Sequence, residues 1–213
     1  MTTSTHITLI LDRSSSMSDI RDDIIGGVNS FFADQRATEH PITATLVQFD
    51  GNDPFEVIAE NVTLDKIPAL TSKIYQPRGN TPLLDAIGKG IHSLTQHLDT
   101  LAQESKPADV VFVIVTDGQE NSSKEFTRAH ITDLIKAKED AGWKFIFLSS
   151  DLSAVREARD FAVREARSAR FNKSNTRESF SRMSSKISEF NVSKADASLD
   201  FTDDDRDTFE NKK

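Results

Sequence analysis

The segment 109–116 (Asp-Val-Val-Phe-Val-Ile-Val-Thr), in which residues 110–115 are all apolar, restricts the fold more than any other feature of this chain. A strand without polar alternation is typical of a central parallel strand that is covered on both faces. Two predicted helices flank this strand. Apolar residues recur every three or four positions in 82–103, and the segment 127–141 is also typical of a helix. A parallel strand between helices predicts an α/β domain.

The rest of the chain continues this alternation of strands and helices. Residues 50–54 (Asp-Gly-Asn-Asp-Pro) form a dense turn signal between two β-rich segments, which we expect to pair as an antiparallel hairpin. The predicted fold is therefore a doubly wound, mostly parallel open sheet of about six strands, with one antiparallel edge strand and helices on both faces. The predicted strands are 7–11, 42–49, 55–62, 109–116, 144–148 and 169–171, and the predicted helices are 19–36, 82–103, 127–141, 153–166 and 176–190.

Length and composition favour one domain with an acidic end. We assign residues 1–190 of the 213 to that domain, and 191–213 to a partly disordered or peripherally docked C-terminal tail with few apolar anchors. Thr202 and Asp205 have the spacing of a capping box, so a short final helix is an alternative for the tail.

The charge and the apolar pattern exclude several classes of partner. A net charge of −8 opposes binding to nucleic acid, whose binding surfaces are built from clustered Lys and Arg. No apolar stretch approaches the roughly 20 residues of a membrane helix. The start of the chain lacks signal-peptide features and the sequence contains no cysteine, so we expect a cytoplasmic protein.

Oxygen-bearing side chains follow two predicted strands and precede one predicted helix. Asp12, Ser14 and Ser16 form a D-x-S-x-S loop after the first strand, Thr81 precedes the long helix, and Asp117 follows the central strand. Hard cations select oxygen ligands, and ligands of open α/β sheets bind at the carboxyl ends of strands. A D-x-S-x-S loop alone is also compatible with a simple helix cap, but this loop together with the loops of Thr81 and Asp117 favours a cation site.

In combination, these residues resemble the von Willebrand factor A (VWA) family and its metal-ion-dependent adhesion site (MIDAS), in the form found in intracellular bacterial or phage-type members. The resemblance covers about 4–190 and includes Thr-Pro-Leu-Leu-Asp-Ala and Val-Thr-Asp-Gly; Ser15 departs from the Gly of many members. It implies a Rossmann-like VWA fold and metal ligands at the five positions named above. In such a site the two serines bind the ion directly, and the two aspartates act mostly through bound water or through hydrogen bonds to the serines. Thr81 would bind either directly or through water. Mg²⁺ is the favoured ion, with Ca²⁺ and Mn²⁺ as alternatives.

The resemblance also implies a function. The expected protein is a non-enzymatic, cation-dependent binding module that captures an Asp or Glu of a protein partner, as an adaptor beside a MoxR-type AAA+ ATPase or a stress-response system. One alternative is a Mg²⁺-dependent phosphatase or phosphotransferase with Asp12 as nucleophile, although Ser14 stands where such enzymes carry a second Asp. The other is a scaffold that the metal only stabilises. We expect a monomer or weak self-association.

We expect other roles for several residues besides the five proposed ligands. Asp85 should complement the dipole of the long helix, and Asp50 and Asp53 should shape the hairpin turn. Glu120 and Asn121 are candidate contacts at the rim of the site, whereas the single Tyr75 should be a packing residue. Acidic tail residues that enter a neighbouring molecule's metal site are a further hypothesis, which involves Asp200 and 203–205.

Overall fold

A computed structural model describes residues 4–160 and 162–210 and contains one six-stranded sheet. The strand order is β3-β2-β1-β4-β5-β6, and every neighbouring pair is parallel except the antiparallel pair β2 and β3. This arrangement confirms the predicted fold and its antiparallel edge strand. The strands are β1 (Thr5–Asp12), β2 (Ile42–Phe49), β3 (Glu56–Thr63), β4 (Asp109–Thr116), β5 (Lys144–Ser149) and β6 (Ser168–Arg170).

Six α-helices surround this sheet in the described residues. They are α1 (Arg21–Arg36), α2 (Leu83–Thr100), α3 (Arg128–Asp140), α4 (Leu152–Asp160), α5 (Thr176–Ser193) and α6 (Asp203–Glu210). The first helix begins later than predicted, because the chain first winds as a 3₁₀ helix through Ser15–Ile20. The fourth ends earlier than the predicted 166, and Ala162 beyond it has a left-handed φ of 68°, which a continuing helix does not allow.

Alternate residues of β4 face opposite layers of the core. Val113 and its odd-numbered neighbours pack with α1 and α5, whereas Phe112 and Ile114 pack with α2 and α3. Because both faces are covered, no polar residue interrupts 110–115, and each large side chain buried there stabilises the fold by about 1.5–3 kcal/mol. The apolar residues 110–115 are therefore buried on both faces of the sheet, as predicted for a central strand.

The end of the chain packs more deeply than its composition suggested. Leu199, Phe201 and Phe209 are buried in the core layer that also contains α5, with Phe201 and Phe209 in edge-to-face contact at 5.0 Å. Thr202 and Asp205 form the capping contacts of α6. Over its described part, the predicted tail is therefore helical and anchored, because three apolar residues suffice when they reach the same core.

The carboxylates of this segment also have partners within the chain. Asp200 accepts a hydrogen bond from the buried Arg167 at 3.0 Å, and Asp205 accepts one from Thr202 and pairs with Lys186. Asp204 pairs with Arg182 at 3.1 Å. Asp200, Asp204 and Asp205 thus each have a partner within the chain, and the hypothesis that the acidic residues of this segment enter a neighbouring molecule's metal site stays a prediction.

The reversal of strand order lies between β1 and β4. The chain proceeds outward from β1 to β2 and β3 on one side, and from β4 to β5 and β6 on the other. The loops that follow β1 and β4 therefore diverge and leave a crevice at the carboxyl edge of the sheet, which is where open α/β sheets bind ligands. Asp12 is the last residue of β1, and Asp117 directly follows β4.

Candidate metal centre

Asp12 is completely buried at the centre of this crevice. Its carboxylate accepts a hydrogen bond from the backbone N–H of Ser14 at 2.6 Å and another from the Thr116 hydroxyl at 2.6 Å. Burial raises the pKa of the Asp12 carboxyl from 3.8 to about 6, although the hydrogen bonds from Thr116 and Ser14 oppose the shift. Asp12 therefore holds a negative charge that the protein only partly compensates.

The two serines of the loop connect Asp12 to Asp117. The hydroxyls of Ser14 and Ser16 lie 3.0 Å apart, and Ser16 donates a hydrogen bond to Oδ1 of Asp117 at 2.5 Å. The side chain of Asp117 is fully buried, whereas Ser16 is exposed. Two loops that are about a hundred residues apart in sequence thus place alternating hydroxyls and carboxylates side by side.

Thr81 reaches the same position from a third loop. A Cβ atom added to Gly118 would lie 3.7 Å from both the Ser16 Oγ and the Thr81 Oγ1 atoms, so these two hydroxyls flank the same point of the backbone. The turn that carries Thr81 begins at Gly79, whose φ of +66° favours glycine and whose carbonyl accepts a hydrogen bond from the backbone of Ser15 at 3.1 Å. The structure therefore brings all five predicted ligand residues together.

Glu120 and Asn121, the candidate rim contacts, hold the loops of the site together. Asn121 accepts a hydrogen bond from the Thr81 backbone at 2.9 Å and donates its own N–H to the Thr81 carbonyl at 3.2 Å. Glu120 accepts bonds from the backbone of Leu84 and of its own loop. Both side chains thus act on the site by fixing the position of Thr81 and the start of α2.

Asp85 and Asp50 have structural roles, as predicted. Asp85 accepts three backbone hydrogen bonds, at 2.8–2.9 Å, from residues 124–126. Asp50 accepts bonds within the hairpin turn and pairs with the buried Arg13 at 2.5 Å and with Arg78 at 2.9 Å. Desolvation acts against this charge, but the backbone hydrogen bonds and Arg78 outweigh it, so the pKa of Asp50 is lowered. Asp53 caps the same turn through Phe55.

Three residues of the site were not identified from the sequence. Thr116 bonds Asp12 and also the backbone of Gly118, and a threonine at the last position of β4 was a signal for it. Tyr75 packs as predicted, but its hydroxyl also donates to the Asp12 carbonyl at 2.6 Å. The third is Lys173, whose ammonium lies 2.7 Å from Oδ2 of Asp117. No sequence pattern marks Lys173, because only the packing of the sheet brings its loop to the crevice.

The donor set matches what a hard cation requires. Among residues 4–160 and 162–210, no group of three or more His, Cys, Asp or Glu side chains is arranged as a metal cluster. The crevice instead offers two buried carboxylates and three hydroxyls, which are all hard oxygen donors. Mg²⁺ keeps several waters and binds few protein carboxylates, so these residues fit it. The partly compensated charge of Asp12 favours a cation at this position.

The fold and the donors together define an α/β domain with an oxygen-lined crevice at its switch point. The profile of the von Willebrand factor type A domain matches residues 6–197, and the chain belongs to this family. A search of curated protein sequences finds no significant match.

Solved structures show the same fold at low sequence identity. The von Willebrand factor domain of the type V pilus tip protein Mfa5 from Porphyromonas gingivalis has a TM-score of 0.64 at 12% identity, over 88% of this chain and 96% of that one. The open form of the pilus adhesin SpaC from Lactobacillus rhamnosus GG has a TM-score of 0.63 at 11% identity, and the match covers 87% of this chain and 30% of that one. A von Willebrand factor type A protein from Catenulispora acidiphila has a TM-score of 0.56 at 16% identity, and the match covers 86% of this chain and 42% of that one. The chain thus spans less than half the length of two of these proteins.

A membrane-spanning helix is not found in the part of the chain that the structure describes, since every helix there is too short or too polar for that role.

Proposed function

We propose that this VWA domain is a divalent-cation-dependent protein-binding module that captures a partner's carboxylate through Mg²⁺ at the crevice. The observation that carries the proposal is the convergence of Asp12, Ser14, Ser16, Thr81 and Asp117 at the carboxyl edge of β1 and β4. The two aspartates and three hydroxyls would hold the ion, with Ca²⁺ and Mn²⁺ as alternative occupants. The ion would supply a positive charge that an Asp or Glu of the partner completes.

The ligand chemistry favours capture of a carboxylate. Hydroxyl ligands are neutral, so an ion held largely by them keeps most of its charge, and an anionic group from outside gains from that charge. Ser16 is exposed and lies at the mouth of the crevice, which gives a partner's side chain access to the site. The similarity to two pilus proteins, of which one is an adhesin, supports a role in protein interaction.

The burial of Asp12 argues against an enzyme. A nucleophilic carboxylate needs an oxygen that a phosphoryl donor can approach, but Asp12 has no exposed surface and both of its oxygens accept hydrogen bonds. We therefore propose a non-enzymatic adaptor. The intracellular setting, beside a MoxR-type ATPase or a stress-response system in a bacterium or phage, belongs to the same proposal. The absence of cysteine supports the cytoplasmic location.

A pair of matched double variants tests the metal dependence. Ser14→Ala with Ser16→Ala removes two proposed ligands, whereas Ser15→Ala with Ser18→Ala removes two exposed serines of the same segment. Calorimetric titration with Mg²⁺ should detect binding to the wild type and to the control pair, and none to the ligand pair. All three proteins should have similar circular dichroism.

Affinity capture then tests the partner. A protein retained by the wild type in MgCl₂ should be lost in EDTA and lost from the ligand pair. Replacing the acidic residue at the contact of that partner by its amide should also abolish capture. Capture that persists in EDTA would refute the proposed mechanism. Metal binding that raises the melting temperature, but leaves capture unchanged, would instead identify a metal-stabilised scaffold.

A further inference from the structure

Lys173 brings a positive charge into the proposed metal centre. Its ammonium donates to Oδ2 of Asp117 at 2.7 Å and lies 3.3 Å from the carbonyl oxygen of Ser16. The carboxylate of Asp117 is fully buried, and the lysine side chain is 40% exposed. The ammonium of Lys173 therefore already pairs with one of the two carboxylates that the divalent ion would use. The lysine side chain is also accessible to water.

Hydrogen bonds anchor the loop that carries Lys173, which follows β6. Asn172 accepts hydrogen bonds from the backbone and hydroxyl of Ser174, and its own N–H donates to the Phe209 carbonyl at 2.8 Å. Asn175 also donates to the carbonyl of Thr208. The start of α5 and the buried end of α6 thus fix the base of the lysine, while its flexible stem leaves the ammonium able to move between Asp117 and solvent.

From this geometry we infer that Lys173 is an internal cation that competes with the divalent ion for Asp117 and thereby sets the metal affinity of the site. The inference rests on the proposed function, since it concerns the same centre. A divalent ion at the hydroxyls of Ser14 and Ser16 would be a like charge close to the ammonium. Binding of the ion therefore displaces Lys173 from Asp117, and the two events are thermodynamically coupled.

The displaced lysine has a second use. Once displaced from Asp117, the ammonium would stay near the centre on its flexible stem, within reach of a carboxylate that the metal binds. A carboxylate that meets both a metal and an ammonium is bound by two positive groups, whereas a carboxylate that approaches the metal-free domain meets an ammonium already paired with Asp117. The exchange makes partner capture depend on metal more steeply than metal ligation alone.

Titration with Mg²⁺ alone, followed by calorimetry, tests the competition. Lys173→Met keeps the length and apolar stem of the side chain and removes its charge, and it should lower the Mg²⁺ Kd by about tenfold. Lys173→Arg retains the charge and should stay near the wild-type Kd. The matched control is Lys194→Met, because Lys194 is similarly exposed and pairs with Asp109 at 2.8 Å at the opposite edge of the sheet. This control should bind Mg²⁺ as the wild type does.

Chemical labelling of the wild type measures the displacement directly. Acetylation of Lys173, followed by mass spectrometry, should be several times faster in saturating MgCl₂ than in EDTA, while acetylation of Lys194 should not change. An unchanged or weaker Mg²⁺ affinity of Lys173→Met would overturn the inference and leave the proposed function intact. If no protein of the set binds Mg²⁺, including Lys173→Met, the proposed function fails, and the inference fails with it.

Discussion

Replacing Asp12 by asparagine separates two effects of this carboxylate: its effect on the stability of the metal-free protein and its role in metal binding. Asp12→Asn keeps the shape of the side chain and removes the charge of a fully buried carboxylate. In the metal-free protein we expect this variant to be more stable than the wild type at pH 7, and we expect it to lose the stabilisation that Mg²⁺ provides.

The expected size follows from the shifted pKa. Burial raises the pKa of Asp12 from 3.8 to about 6, and a shift of roughly two units means that ionised Asp12 costs the metal-free fold about 3 kcal/mol. Asparagine avoids this cost but keeps only one of the two acceptors that Ser14 and Thr116 use, a loss of about 1 kcal/mol. The variant should therefore gain about 2 kcal/mol, or roughly 4–8 °C in melting temperature.

The pH dependence has a definite sign. Because the pKa of Asp12 in the folded protein is raised, its favourable contribution is fully present below pH 3.8 and is lost as the pH rises through about 6. The advantage of Asp12→Asn in EDTA should therefore disappear near pH 4. At pH 7, Mg²⁺ at about 100 times its Kd should stabilise the wild type by about 2.7 kcal/mol and leave the variant unchanged.

Asp85→Asn is the matched control for this experiment. Asp85 is also buried next to the crevice, but its carboxylate accepts three backbone hydrogen bonds that an amide cannot all satisfy. This control should be less stable than the wild type by about 1–3 kcal/mol with or without Mg²⁺, and it should retain the response to the ion. Chemical denaturation in EDTA measures both variants. An Asp12→Asn protein that is less stable than the wild type at pH 7 would refute the reasoning.

Two further predictions concern the core. Burial lowers the pKa of His6 from 6.5 to about 3, so below pH 6.5 the unfolded chain binds a proton that the folded chain does not, and the contribution of His6 to stability falls by up to about 1.4 kcal/mol per pH unit. Asp12 contributes with the opposite sign, so the comparison is between variant and wild type: His6→Asn should become more stable relative to the wild type as the pH falls from 7 to 5. A difference between the two denaturation curves that does not change with pH would contradict this prediction. Phe209→Ala should cost about 3–5 kcal/mol in chemical denaturation because Phe209 is fully buried, whereas a loss below 1 kcal/mol would show that α6 is only peripherally attached.

The predictable parts of the fold are those in which a local pattern has one physical solution. The apolar run of β4 must be covered on both sides, and the turn at 50–54 forces β2 and β3 into an antiparallel pair. The end of the chain was harder to predict, because its acidic composition dominates any local measure. The stability of this last segment depends on contacts with core residues that are distant in sequence, and Leu199 and Phe209 make these contacts only in the folded chain.

The sequence by itself determined the strand and helix order, and it placed five oxygen-bearing residues at the boundaries of those elements. The tertiary structure decided how their charges are compensated, because the dielectric environment and the hydrogen-bond partners of a side chain depend on what packs against it. Folding buries Asp12 against Thr116 and brings Lys173 to Asp117 from a loop 56 residues further along the chain. The sequence thus identifies the residues that supply the oxygen atoms, whereas the packing of β1, β4 and β6 places the ammonium of Lys173 beside one of them.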